Sequence, residues 1–122
     1  MAAPEGRPDP ERDRNADLDP DLETVLASCW ALLRRGVEDR RHPARTPVLA
    51  TVDASGGPEM RVVVLRHCCP DTRMLDVHTD QRSDKVGHLL AEPRCALLIH
   101  AQDLKVQLRI RARATVHIAD PL

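Results

Sequence analysis

From residue 105 to residue 118 the chain alternates without a break. Val106, Leu108, Ile110, Ala112, Ala114, Val116 and Ile118 fall in one phase, and Lys105, Gln107, Arg109, Arg111, Arg113, Thr115 and His117 in the other. Successive side chains of a strand point to opposite sides, so this period of two predicts a long β-strand with one apolar and one polar, cationic face. Such a strand is not stable alone, and the rest of the chain has to supply the sheet that it joins.

Four further segments read as strands. Residues 47–53 and 60–67 flank the turn of Ala54, Ser55, Gly56, Gly57 and Pro58 and make a hairpin. Residues 74–79 follow a turn at Pro70, Asp71 and Thr72, and residues 95–100 are apolar enough to be a central strand. Helical spacing appears twice. Asp19 and Pro20 read as cap and first position of a helix whose apolar side is Leu22, Val25, Leu26, Cys29, Trp30 and Leu33, with Gly36 as its stop. A shorter helix begins near Ser83, turns Val86, Leu89 and Leu90 to one side and ends at Pro93. Short strands joined by turns, with one helix interposed, predict a mainly β, α+β protein built as a small antiparallel barrel.

Residues 1–19 hold three prolines and many charges, so a disordered acidic tail is expected there, followed by one domain over residues 20–122. Residues 1–20 carry six acids against three arginines, which leaves about +2 on the rest of a chain whose formal net charge is −1. That balance makes no general case for nucleic acid or a membrane surface. No apolar run is long enough to span a bilayer. One Trp, no Phe and no Tyr mean that the core is Val, Leu, Ile and Ala, and that a flat ligand has to rest on backbone and aliphatic side chains. Cys29, Cys68, Cys69 and Cys95 lack the paired spacing of a zinc site, and no secretory leader precedes them. Reduced thiols in a cytoplasmic protein, with no metal, are therefore expected.

Two stretches carry the functional reading. Arg61, Val62, Val63, Val64, Leu65 and Arg66 form a β-branched run flanked by cations. Downstream, Thr79, Arg82, Ser83 and Lys85 gather at a helix start, where unpaired backbone N–H groups favour an anion. This is the chemistry of a phosphate pocket. The plain alternatives are two solvent-facing strand ends and an ordinary capped helix; the co-occurrence of the pieces favours the pocket.

In this order and spacing, Arg61 to Arg66, His78 with Thr79, Arg82 to Lys85, and Gln107 resemble the flavin-binding pattern of the pyridoxamine 5'-phosphate oxidase-like proteins, over roughly residues 22–118. The resemblance implies an antiparallel split β-barrel with an N-terminal helix and one short helix between strands, and FMN at a homodimer interface. It implies that Arg61 and Lys85 hold the FMN phosphate, with hydrogen bonds from Thr79 and Ser83. Residues 62–65 would run beside the isoalloxazine through backbone groups, and Gln107 would reach the flavin from the long strand. Arg66 stands in place of a lysine that touches both cofactor and substrate, and His78 at a position that is often aromatic. Strict alternation would set Arg61 and Arg66 on opposite faces of one strand, so either a bulge or twist is expected between them, or one arginine turns from the ligand.

The chain departs from the family pattern at three places. Asp84 replaces a second basic residue, which passes that phosphate role to Arg82. Ala112 replaces a usual glycine, so ordinary strand is expected there. The sequence reaches Asp120, Pro121 and Leu122 where family members continue into further strands, so the domain is expected to be incomplete at its C-terminal end. The expectation is an FMN-binding protein of this type, a flavin-dependent oxidoreductase acting on a small molecule, with no catalytic acid or base assigned. A flavin carrier without turnover is the first alternative. A nucleic-acid-binding barrel using residues 105–113 is the last, because it lacks the aromatic platforms that stack bases.

Overall fold

The computed structural model describes residues 21–79 and 82–117. The expected tail over residues 1–19, the helix start at Asp19 and Pro20, and the end of the long strand at Ile118 lie outside the described residues.

The alternating segment forms strand β6 (Val106–Arg113), and residues 114–117 continue it without strand pairing apart from the Ala114 N–H donated to the Pro93 carbonyl. Its neighbour is β5 (Arg94–Ala101), in antiparallel register from Arg94 opposite Arg113 to Ala101 opposite Val106. β5 pairs on its other side with β1 (Val48–Val52), which pairs in turn with β2 (Pro58–Val62). The four-stranded order is thus β2-β1-β5-β6, with the apolar segment near the middle as its composition predicts. β3 (Val64–Cys69) and β4 (Met74–His78) make a separate two-stranded antiparallel sheet. The chain is an α+β antiparallel split barrel whose sheet does not close.

The run expected as one strand over residues 60–67 divides at Val63, and this division makes the barrel split. Val62 is the last partner of β1, opposite Val48, and the Val63 N–H donates to the carbonyl of Pro47. Pro47 has no N–H to return, and before it the chain coils into a 3₁₀ turn (Pro43–Arg45), so the ladder ends. From Val64 onward the same run pairs with β4 instead. Among the described residues there are six strands where five were expected. A second irregularity follows: Leu65 pairs with Val77 and His67 with Asp76, which leaves Arg66 as the extra residue of a bulge.

Helix α1 (Leu22–Glu38) lies on β3 and the 3₁₀ turn. Gly36 does not stop it. A Cβ at Gly36 would sit 2.5 Å from the carbonyl carbon of Ala44, which is fully buried, so glycine is there for close approach. The helix ends two residues later, where the Asp39 N–H donates to Arg35 and the Arg45 guanidinium donates to the Val37 carbonyl at 2.7 Å. That bond gives one residue of the expected charged connector a capping role. Gly36→Ala is expected to destabilise the protein: crowding costs about 1–3 kcal/mol, more than the roughly 1 kcal/mol that alanine adds in helix propensity. Urea denaturation of the two proteins checks it.

Only the C-terminal half of the predicted apolar stripe is covered. Leu33 is buried and Cys29 and Trp30 are half-buried, whereas Leu22, Val25 and Leu26 are about half exposed; Leu32, outside the predicted stripe, is buried beside Leu33. Leu32, Leu33, Ala44, Leu65, Ile99 and Ala101 form one core cluster, and Leu49, Val63 and Leu97 a second. The second core is roofed by helix α2 (Asp84–Ala91) through Leu89, while Leu90, expected on the same apolar side, faces solvent. Cys95 packs against this core, where burial pushes its thiol up from the ordinary range.

Candidate functional site

β1 and β2 set one side of the site. Opposed residues in an antiparallel ladder share a face, so Arg61, opposite Leu49, turns to the inner side of the sheet, as do Leu49 itself and Thr51. Both Leu49 and Thr51 are buried. The Arg61 guanidinium lies over them, with Nη1 donating to Thr51 Oγ1 at 2.7 Å and to the Leu49 carbonyl at 3.3 Å.

Helix α2 sets the other side. Ser83 is its N-cap with extended backbone, yet no side chain caps the helix start. Instead Lys85 Nζ donates to Ser83 Oγ at 3.0 Å, and Lys85 is only 8% exposed. An ammonium, a hydroxyl and the first N–H groups of α2 are thereby held in one place, a donor set suited to a phosphate.

Thr51 joins the two sides. Its hydroxyl oxygen lies 3.3 Å from His88 Nδ1, and His88 stands three residues along α2 from Lys85, within one helical turn. Arg61 and Lys85, far apart in sequence, are therefore brought to the same helix. Thr51 and His88 were not singled out from the sequence. The trace they leave is a hydroxyl in the inward phase of β1, two residues from Leu49, and an imidazole at helical spacing from Lys85.

The other expected site residues are placed as follows. Val63 and Leu65 are buried, so only their backbone is open to a ligand, while Val62 is 62% exposed on the outer face. Val64 is half-buried and pairs with His78; His78, Thr79 and Arg82 are exposed. Arg66 is exposed at the bulge of the second sheet, so alternation from Arg61 does not govern where it points. Gln107 is not brought to Arg61. It is exposed on β6 opposite His100, on the outer face that it shares with Leu98 and Val62, three strands across from β2.

The turn beyond β1 is fixed independently. Asp53 Oδ1 accepts from the Ser55 hydroxyl and from the N–H groups of Ser55 and Gly57, and these bonds, the Ser55 hydroxyl foremost, hold its carboxyl below the ordinary range.

The fold is that of a split-barrel protein, and the donors at the start of α2 are of a kind that suits a phosphate. Residues 27–118 match the family described as pyridoxamine 5'-phosphate oxidase, FMN-binding domain, and the chain belongs to that family. FMN, the cofactor expected from the resemblance, is the one that this family carries. Among curated relatives, the pyridoxine/pyridoxamine 5'-phosphate oxidase of Anaeromyxobacter dehalogenans is 35% identical over 68% of this chain and 41% of its own length. The oxidase of the same name from Bordetella petrii is 45% identical over 53% of this chain and 30% of its own length. The chain thus spans less than half of either relative. A solved structure from Nostoc punctiforme, a pyridoxamine 5'-phosphate oxidase-related FMN-binding protein, superposes with a TM-score of 0.59 at 26% identity, over 78% of this chain and 47% of that one.

Proposed function

We propose that this domain binds FMN by its phosphate at the start of α2 and serves a flavin-dependent oxidoreduction of a small molecule. The observation that carries the reading is the link from Arg61 through Thr51 to His88, which sets the guanidinium against the helix that holds Lys85. Arg61, Lys85 and Ser83 would hold the phosphate, with Thr79 and Arg82 beside them. Charge-assisted hydrogen bonds of this kind are worth about 1.5–3 kcal/mol each. The backbone of Val62, Val63, Val64 and Leu65 would run along the isoalloxazine, with His78 and Arg66 at the edges. Bound FMN would supply the redox chemistry, and the protein the binding and orientation.

A site shared between two copies is part of this reading. Arg61 turns to the inner face and Gln107 to the outer one, so a second chain would be needed for both to meet one flavin. Met60, Val62 and Leu98 leave apolar surface on that outer face, at 72%, 62% and 36% exposure, and a second copy would cover it. No helix of the described residues is long and apolar enough to cross a membrane, and the four cysteines are free, which supports a cytoplasmic place.

Titrating the purified protein with FMN while following its visible spectrum tests the proposal. Saturable binding in the micromolar range or tighter, and a dimer in sedimentation, are the expected results. A protein that ignores FMN would remove the reading, and one that binds FMN but never turns over candidate substrates would be a carrier.

A further inference from the structure

We infer that Thr51 and His88 are positioning residues that aim the Arg61 guanidinium at the FMN phosphate; the inference rests on the phosphate site proposed above.

An arginine side chain on a strand has many rotamers, and a guanidinium held in advance loses less freedom when an anion arrives. Two acceptors restrain Arg61. The Leu49 carbonyl is a fixed backbone group at 3.3 Å, and Thr51 Oγ1 is the shorter contact at 2.7 Å. Both bonds use Nη1, so neither occupies Nη2 or Nε.

Thr51 can act this way because it is itself held. It is 2% exposed, and a buried hydroxyl has to find partners in the protein. Its oxygen accepts from Arg61, and its hydrogen has His88 Nδ1 within reach at 3.3 Å. The arrangement that satisfies all three groups has Arg61 donating to Thr51, the Thr51 hydroxyl donating to Nδ1, and the His88 proton on Nε2. His88 thus orients a hydroxyl it does not share with the ligand, and α2, which carries Lys85, is tied to the strand that carries Arg61's acceptors. Neither Thr51 nor His88 needs to touch the nucleotide. Their effect should be confined to the phosphate end.

Comparing FMN with riboflavin, which lacks the phosphate, isolates that end. Thr51→Val keeps the shape and removes the hydroxyl. It is expected to weaken FMN binding about three- to tenfold, the size of a typical hydrogen bond's net contribution, and to leave riboflavin binding unchanged. Thr51→Ser, which restores the hydroxyl, is expected to recover most of the loss. His88→Ala, made on a half-buried helix face that does not disturb the sheet, is expected to give a smaller phosphate-specific loss and keeps the test open should Thr51→Val fold poorly. Arg61→Ala is the control. If Arg61→Ala loses FMN affinity while Thr51→Val and His88→Ala bind like wild type, the positioning role is overturned and the phosphate site stands. Equal losses for FMN and riboflavin would also overturn it, since they would mean a general disturbance of the core. If Arg61→Ala itself binds FMN normally, Arg61 does not hold the phosphate and the inference falls with it.

Discussion

Arg61→Ala and Lys85→Met are each expected to weaken FMN binding by about 1–3 kcal/mol, roughly 5- to 150-fold, without unfolding the domain. Methionine at position 85 keeps the apolar stem that burial requires of an 8% exposed side chain and deletes only the ammonium. The two losses should not add, because both cations would act on one phosphate and couple through it. Raising the salt concentration should weaken the wild-type protein more than either variant, since each variant has one charge fewer to screen. Isothermal titration with FMN at two ionic strengths reads both effects. Wild-type affinity in both variants would remove the phosphate from this end of α2.

The second large effect concerns stability. Leu65 is fully buried in the core that also holds Leu32, Leu33, Ala44, Ile99 and Ala101. It is also the second residue after the run has left one sheet for the other. Leu65→Ala is expected to cost about 2–5 kcal/mol, the transfer of the lost methyl groups plus the cavity behind them. Against a total stability of about 5–15 kcal/mol for a domain of this kind, that is a large share. Leu90→Ala, at a position 64% exposed on α2, should change stability by less than about 0.5 kcal/mol. Equilibrium denaturation distinguishes the two, and equal effects would mean that the core does not run through Leu65.

Much of the barrel is legible in the residues because it depends on local pattern. β6 follows from alternation, β5 from an unbroken apolar run, the hairpin turn from Ser55, Gly56 and Gly57, and α2 from Ser83 and Pro93. Gly36 shows where local reading fails. Glycine after an apolar stripe is usually a stop, but here its missing side chain serves a contact with Ala44, which only the packed structure reveals. Val62 and Val63 show the same limit. Nothing in the run of valines marks the change of sheet, because the ladder ends for want of a partner on β1 and not for any property of the run.

Sequence alone determined the kinds of group at the candidate site: two cations, a hydroxyl beside a helix start, and a β-branched strand with no aromatic ring beside it. These are matters of residue type and short-range spacing, which the chain carries in itself. Tertiary structure alone decided how they meet. The pairing of β1 with β2 set Arg61 over Thr51, and the seating of α2 on the inner face set His88 against that hydroxyl and Lys85 one turn away. Gln107 went to the other face for the same physical reason: in a pleated sheet the register between strands settles which side a residue serves, and register is a property of two segments, not of one.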